Sequence, residues 1–256
     1  RWIPLIILSI QASLLTLTAL DQSLRRAGPF DDPNLNGNFA AGLVLASLIA
    51  FSAGHTLSTV TSVLLGITTL FWSNSMGATV ALGGAVAYLA LGRCRARVRL
   101  LGSSLAFALG LILAPALGRV VSEGRYEKSR SDRFETWGDT FQAWLDSPLG
   151  NGVGTVVTLN FDGAMETHNE FLAALLRAGL PGLLATLLLL VALFRLGRIR
   201  SQTIVLYFAL SSLTINAFNF RHIWLFLSLA VVMDDFREVS RSETEQIAED
   251  SSQREN

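Results

Sequence analysis

PNLNGNFAAGLVLASLIAFSAGHTLSTVTSVLLGITTLFWSNSMGATVALGGAVAYLALG, residues 33–92, runs for sixty positions without one Asp, Glu, Lys or Arg. One crossing of a bilayer takes about 20 predominantly apolar residues, so the run has room for three. Its polar breaks, Ser52-Ala53-Gly54-His55 and Ser73-Asn74-Ser75, divide it into expected helices near 39–53, 56–72 and 76–92 with short turns between them. Outward from this stretch lie further uncharged runs at 2–20, 100–118, 178–194, 201–220 and 222–233, which makes eight candidate spans. In hydrocarbon every backbone N–H and C=O must be paired internally. Runs near 20 residues fit helices rather than alternating barrel strands of about 10. The predicted fold is all-α: a polytopic transmembrane helix bundle of about eight spans.

Composition agrees. The 256 residues are 51% hydrophobic and 16% charged, with a mean hydropathy of +0.46, whereas a soluble domain carries about 25% charged residues. That excludes an ordinary water-soluble globule. Twenty basic residues balance twenty acidic ones, and the basic ones are nearly all Arg. No broad cationic surface for nucleic acid is present, so no nucleic-acid partner is expected. A single cysteine, Cys94, and three histidines cannot make a disulfide, a cysteine metal site or a His-rich tract. The chain starts at Arg1 inside an apolar run, so it is read as a piece of a longer protein, and no segment is read as a cleavable signal peptide.

Arginine placement orients the spans, because short cytoplasmic loops are enriched in Lys and Arg. Arg93, Arg95, Arg97 and Arg99 share one short loop, and Arg195, Arg198 and Arg200 another. Both are expected in the cytoplasm, with two spans between them, which puts the long segment 118–177 on the far side. Parity places the loop 21–38 and the turn 73–75 on that same outer face. The expected organisation is spans one to five over 1–117, one large periplasmic loop over 118–177, spans six to eight over 178–234, and a disordered cytoplasmic tail over 235–256, rich in Glu, Ser, Gln and Asp.

Most of the unusual chemistry lies in that outer loop. In SDRFETWGDTFQAWLDS, residues 131–147, Phe134, Trp137, Phe141, Trp144 and Leu145 recur at the three, four and seven spacing of an amphipathic helix. Such a helix would lie on the membrane surface, and interfacial burial alone accounts for its aromatics. Asp132 or Ser131 can cap its start, and Ser147-Pro148-Leu149-Gly150 stops it. Arg133 stands in the first turn, where the helix dipole disfavours a cation. A bound anion, or pairing with Asp132, Glu135 or Glu127, would account for it. After Gly150, Gly152 and Gly154 comes Thr167-His168-Asn169-Glu170 before an apolar run, a capping-box signature with Thr167 as cap. His168 would then hold the first helical position, where dipole and free amides keep the imidazole neutral and form an anion site. A neutral His beside a phosphate can act as a general base. His55, in a cytoplasmic turn, and His222, beside Arg221 at the outer end of the last span, have weaker claims.

Taken in order, SDRFETW, SPLGNGVG, THNEFL and RAGLPGLL leading into a span resemble the signature region of the O-antigen ligase and O-antigen polymerase superfamily, polytopic glycosyltransferases of the GT-C type. The match runs over about 130–190, and PFDDPNLNGNFAAGL, residues 29–43, is similar to the family's upstream Pro-Asn element. The resemblance implies an inner-membrane enzyme that transfers a glycan from undecaprenyl diphosphate to an acceptor hydroxyl on the periplasmic face. It implies His168 as the base that activates the acceptor, Asn169 as the residue orienting groups beside it, and Arg133 as the diphosphate contact. Arg125, Arg130, Arg221 and Trp137 complete the expected substrate-binding set. Neither a cofactor nor a metal is expected, because a diphosphate leaving group already carries charge that an Arg can stabilise as the glycosidic bond breaks.

Two positions depart from the family pattern. Met76 stands where many members carry an outer-face arginine, and Arg177 stands where a glutamate often precedes Gly-Leu-Pro-Gly. A ligase acting on lipid A-core is the leading expectation. A polymerase extending a lipid-linked glycan and a protein O-oligosaccharyltransferase share the same motifs. From another class, a transporter would explain eight spans but would put charged or helix-breaking residues at mid-membrane, and the span middles hold no Asp, Glu, Lys or Arg. A non-catalytic scaffold would leave the ordered Arg-Trp, Gly-rich and His-Asn elements unexplained.

Overall fold

The computed structural model describes residues 3–21, 27–30, 32–50, 56–122, 125–152, 157–158, 164–165, 167–214 and 224–228, with side chains left aside at 114–122, 125–132 and the four strand positions. The described elements are α1 (Ile3–Leu20), α2 (Pro33–Ile49), α3 (Thr56–Ser73), α4 (Met76–Ala90), α5 (Ala96–Ser122), α6 (Arg125–Asp146), a two-residue antiparallel ladder β1 (Val157–Thr158) with β2 (Ala164–Met165), α7 (Glu170–Leu196) and α8 (Ile199–Ser211). A short helical stretch follows at 224–228. The chain is a polytopic helical bundle, as its apolar runs predict.

The described apolar helices are of two kinds. Among the described residues, Ile3–Leu20, Thr56–Ser73, Ala96–Leu113 and Glu170–Leu196 are long and apolar enough to cross a membrane, and Met76–Ala90 is a shorter apolar helix. These long helices turn leucines outward: Leu57, Leu101, Leu105 and Leu188 are all largely exposed to what would be lipid. By contrast α2 is buried along nearly its whole length, from Asn36 to Ile49, on Ala, Gly, Ser and Leu. Being apolar on all sides marks it as an inner helix. It packs on α1, α3, α4 and α8, while α4 packs on α5 and α8.

Small residues let these inner backbones approach closely, as membrane helix contacts favour. A Cβ on Gly37 would sit 2.3 Å from Cβ of Ser75, and one on Gly66 would sit 2.3 Å from Nε2 of Gln11. Polar side chains on the same faces bond across the seams. Asn36 Nδ2 donates to Thr18 Oγ1 at 3.1 Å, Gln11 Nε2 to the Ala40 carbonyl at 3.3 Å, Ser47 and Ser62 share a 2.8 Å hydrogen bond, and the Tyr207 hydroxyl donates to Asn38 at the carbonyl and Oδ1. Away from water, each of these groups is costly unless it is paired.

The structure also fixes the two ends of the bundle. At one end Tyr88 of α4 donates to Gln202 Oε1 of α8, Gln202 Nε2 donates to the Phe194 carbonyl, and Arg99 lies over the Tyr88 ring at 5.2 Å while bonding the Gly92 and Cys94 carbonyls. The two arginine-rich turns therefore share an end. At the other, Gly37 meets Ser73 and Ser75, Gly77 meets Thr214, and the end of α8 meets the start of α7.

Two expectations on element bounds change. Residues 33–38, expected in a loop, form the first turns of α2, because Asp32 caps the helix by accepting from Asn34 N at 2.8 Å and Pro33 fits the first helical turn. The helix expected over 131–147 starts six residues earlier, at Arg125, and stops at Asp146 before Ser147-Pro148. Residues 235–256, together with His55, Arg221 and His222, lie outside the described residues.

Candidate active site at the start of α7

The N-terminus of α7 is built differently from the capping box that its sequence suggests. Asn169, not Thr167, is the cap: its backbone is extended and its Oδ1 accepts from Phe171 N at 3.0 Å and Leu172 N at 3.1 Å. Asn outranks Thr at this position, and Thr167 instead donates its hydroxyl to the Asn169 carbonyl at 3.1 Å. The other side of the Asn169 amide donates to the Leu213 carbonyl at 3.3 Å, and Glu170 N donates to the Ser212 carbonyl at 2.8 Å. The start of α7 is thus clamped to the end of α8. Glu170, Phe171 and Leu172 all have their amides engaged, so the helix start is not the open anion site that the capping-box reading implied.

His168 is displaced with the cap. It lies outside the helix, two residues before Glu170, with φ +46. A non-glycine residue in the left-handed region carries about 1–3 kcal/mol of strain, which persists only where the surroundings impose it and which clusters at functional sites. The imposing contacts are on either side of it. Thr167 is buried and its carbonyl accepts from Trp137 Nε1 at 2.7 Å, while Asn169 is buried and bonded to both α7 and α8. His168 itself is only partly buried.

Eleven residues beyond His168, α7 breaks. Gly179 has φ 63 and ψ −159, a combination essentially confined to glycine, and Pro181 has no N–H to offer the Arg177 carbonyl. The carbonyls freed by the break are taken by the Ser147–Gly152 turn: Asn151 N donates to Leu176 O at 2.8 Å and Gly152 N to Arg177 O at 2.9 Å. Gly150 (φ +95) and Gly179 face each other so closely that a Cβ on Gly150 would stand 2.6 Å from Arg177 O, and one on Gly179 would stand 2.3 Å from Pro148 O. The SPLGNG and RAGLPG elements of the sequence are the two halves of this one joint. The expected boundary between outer loop and span, at 177/178, falls on it.

Two ties along α6 now define the site. Trp137 reaches Thr167, and the turn after Asp146 reaches 176–179, so α6 and the first half of α7 lie side by side and point the same way. Arg133 is one turn before Trp137, about 6 Å back along the helix at 1.5 Å per residue. It is therefore at the same end of the pair as His168, where it is partly buried. Arg130 and Arg125 are on the same helix at three and eight residues before Arg133, and their side chains lie outside the described residues, as does all of Arg221. Met76, opening α4, is next to Gly77, which packs on Thr214 of the α8 end that holds Asn169. Sequence reading missed Ser212 and Leu213, which act through main-chain carbonyls and leave no mark in residue type. It also missed the structural use of Asn36 and Asn38, whose spacing gives no sign of Thr18 or Tyr207 as partners.

Among the described residues no three His, Cys, Asp or Glu side chains gather as ligands for a metal ion would. Compared with known protein families, residues 61–187 match the family described as O-antigen ligase. The matched span covers the Ser73–Ser75 turn, α4 to α6, the His168 turn and the break in α7. Comparison with curated proteins and with solved structures gave no match.

Proposed function

We propose that this chain, which belongs to the O-antigen ligase and O-antigen polymerase superfamily over residues 61–187, is an inner-membrane glycan transferase of the ligase kind. In this reading it moves a polysaccharide from undecaprenyl diphosphate to a hydroxyl of lipid A-core, in the periplasm. The end of the bundle that holds His168 faces the periplasm, and the end with the two arginine-rich turns faces the cytoplasm, in keeping with the positive-inside rule. Residues 118–177 form the outer catalytic loop. The observation that carries the reading is His168 held at φ +46 beside Thr167, whose carbonyl is tied to Trp137 one helical turn along α6 from Arg133.

The chemistry is a displacement at an anomeric carbon. His168 takes the proton from the acceptor hydroxyl as its oxygen forms the new bond. The bond from that carbon to the diphosphate oxygen breaks, and its electron pair leaves on the diphosphate. Arg133 meets the developing charge with charge-assisted hydrogen bonds, with Arg130, Arg125 and Arg221 as further contacts to phosphate or glycan. Since the amides of α7 are already engaged, arginine rather than the helix start must supply this charge. Asn169 is a positioning residue, acting through the backbone of His168.

The test supplies membranes containing the full-length protein with an undecaprenyl-diphosphate-linked glycan and a lipid A-core acceptor, and follows where the glycan goes. His168→Ala is expected to lower transfer by about 10²–10⁴ at unchanged protein level. Arg133→Ala is expected to weaken use of the donor more than of the acceptor. Undiminished transfer by His168→Ala removes His168 from the mechanism, and a lengthening ladder left on the carrier lipid makes the enzyme a polymerase.

A further inference from the structure

We infer that one face of α6, marked by Phe134, Phe141, Leu145 and, in the turn beyond, Leu149, is inserted into the bilayer surface on the His168 side and anchors the outer loop there. The helix has three faces. Thr136 and Thr140 are buried at 1% and 0% exposure, and they form the face docked on the protein. Glu135, Asp139, Gln142 and Asp146 are exposed, and they recur at three and four on a second face that is acidic or polar throughout. The third face is apolar and equally exposed: Phe134 at 58%, Phe141 at 48%, Leu145 at 49% and Leu149 at 85%. This is the reverse of a soluble amphipathic helix, whose small polar residues face water and whose Phe and Leu face the core.

Two further observations identify what covers the apolar face. Its bordering tryptophans have no spare donor. Trp137 Nε1 donates to Thr167 O at 2.7 Å and Trp144 Nε1 to Pro148 O at 3.2 Å, and the rings pack on Phe134 and Phe141 with centroids 5.4 and 5.3 Å apart. A face whose indole N–H groups are satisfied internally enters hydrocarbon without leaving a polar group unpaired. The face is also continuous with a membrane-crossing surface. Leu149 sits against Gly179 at the joint, and directly beyond it Leu180 and Leu184, 50% and 49% exposed, open the second half of α7, a helix long and apolar enough to cross a membrane. The occupant is the lipid bilayer itself. Among the described residues the water face carries Glu135, Asp139, Asp146 and the neutral Gln142 and no basic side chain, so apolar burial rather than attraction to anionic lipid drives insertion.

The inference rests on the membrane-spanning helices and not on the transfer chemistry, so its failure and that of the transferase reading are separate events. The experiment replaces Cys94 by serine, with any other cysteine of the full-length protein, and introduces Phe141→Cys, Leu145→Cys, Asp139→Cys or Gln142→Cys, one at a time, into that protein in lipid vesicles. Each cysteine carries a nitroxide label, whose collisions with dissolved oxygen, concentrated in hydrocarbon, and with a water-soluble nickel chelate are compared. The oxygen-to-nickel ratio is expected to be high at 141 and 145 and to reverse at 139 and 142. Nickel access at 141 and 145 equal to that at 142 would place the face in water. Access by neither reagent would mean that protein covers it, whether another span or a second copy. Either result overturns the inference.

Discussion

The inner seam of α2, α4 and α8 and the outer pair of α6 with α7 are both helix packings, but they are held in opposite ways. Along the seam Gly37 leaves no room for a Cβ beside Ser73 and Ser75, nor Gly77 beside Thr214, and hydrogen bonds join Asn38 to Tyr207 and Tyr88 to Gln202. The outer pair is tied at two places: the Trp137 indole on Thr167, and the Ser147–Gly152 turn on the broken end of α7. A continuous seam makes a scaffold that tolerates no insertion of volume. The brace instead sets α6, with Arg133, against the turn that carries His168.

The comparison can be broken at the brace first. Gly179→Ala adds a Cβ 2.3 Å from the Pro148 carbonyl and gives alanine a backbone conformation costing about 1–3 kcal/mol in strain. Neither problem can be relieved by a side-chain rotation. The turn is expected to leave α7 and transfer to be lost, while α1 to α4 and α8 stay folded; limited proteolysis would show new cleavage confined to 146–179. Cleavage throughout the chain would mean that the outer pair and the seam are one cooperative unit. Next in size, Gly37→Ala pushes the Ser73–Ser75 turn away from α2, an overpacking cost of about 1–3 kcal/mol. It should lower the thermal unfolding temperature of the whole bundle, and an unchanged temperature would show that the seam is looser than its contacts imply. The smallest effect is expected from Trp137→Phe, which keeps an aromatic ring but removes the indole N–H that bonds the Thr167 carbonyl, at about 1–3 kcal/mol. Because the defect is one of placement, kcat should fall about tenfold, as 1.4 kcal/mol predicts, with KM for the donor little changed. A rise in KM alone would instead make Trp137 a substrate contact.

What the sequence made legible follows the same division. Uncharged runs and arginine turns announce helices and their ends because hydropathy and charge are summed over many residues, and a few polar residues do not disturb the sum. Hydropathy did not separate lipid-facing helices from inner ones, since Ala and Gly in α2 score as apolar whichever way they face. At the site, residue types were legible and their roles less so. Thr167 and Glu170 have the spacing of a capping box, but a stronger cap, Asn169, sits between them and also reaches α8. The Asn169 cap puts the helix start past His168, and its Oδ1 together with the Ser212 carbonyl engages the amides that an anion would have used. The partner of the Gly-Leu-Pro-Gly element is about 30 residues earlier in the chain, and no local pattern links the two.

One more consequence follows from the brace. The chain is pinned at Gly152, by its bond to Arg177, and again at Thr167, by its bond from Trp137. Residues 153–166 therefore begin and end at fixed points on the same helix pair. Chain closure between two such pins grows by only about 0.6 kcal/mol for each doubling of the length between them, so it is the pins themselves that set where the helix of Arg133 and the turn of His168 stand.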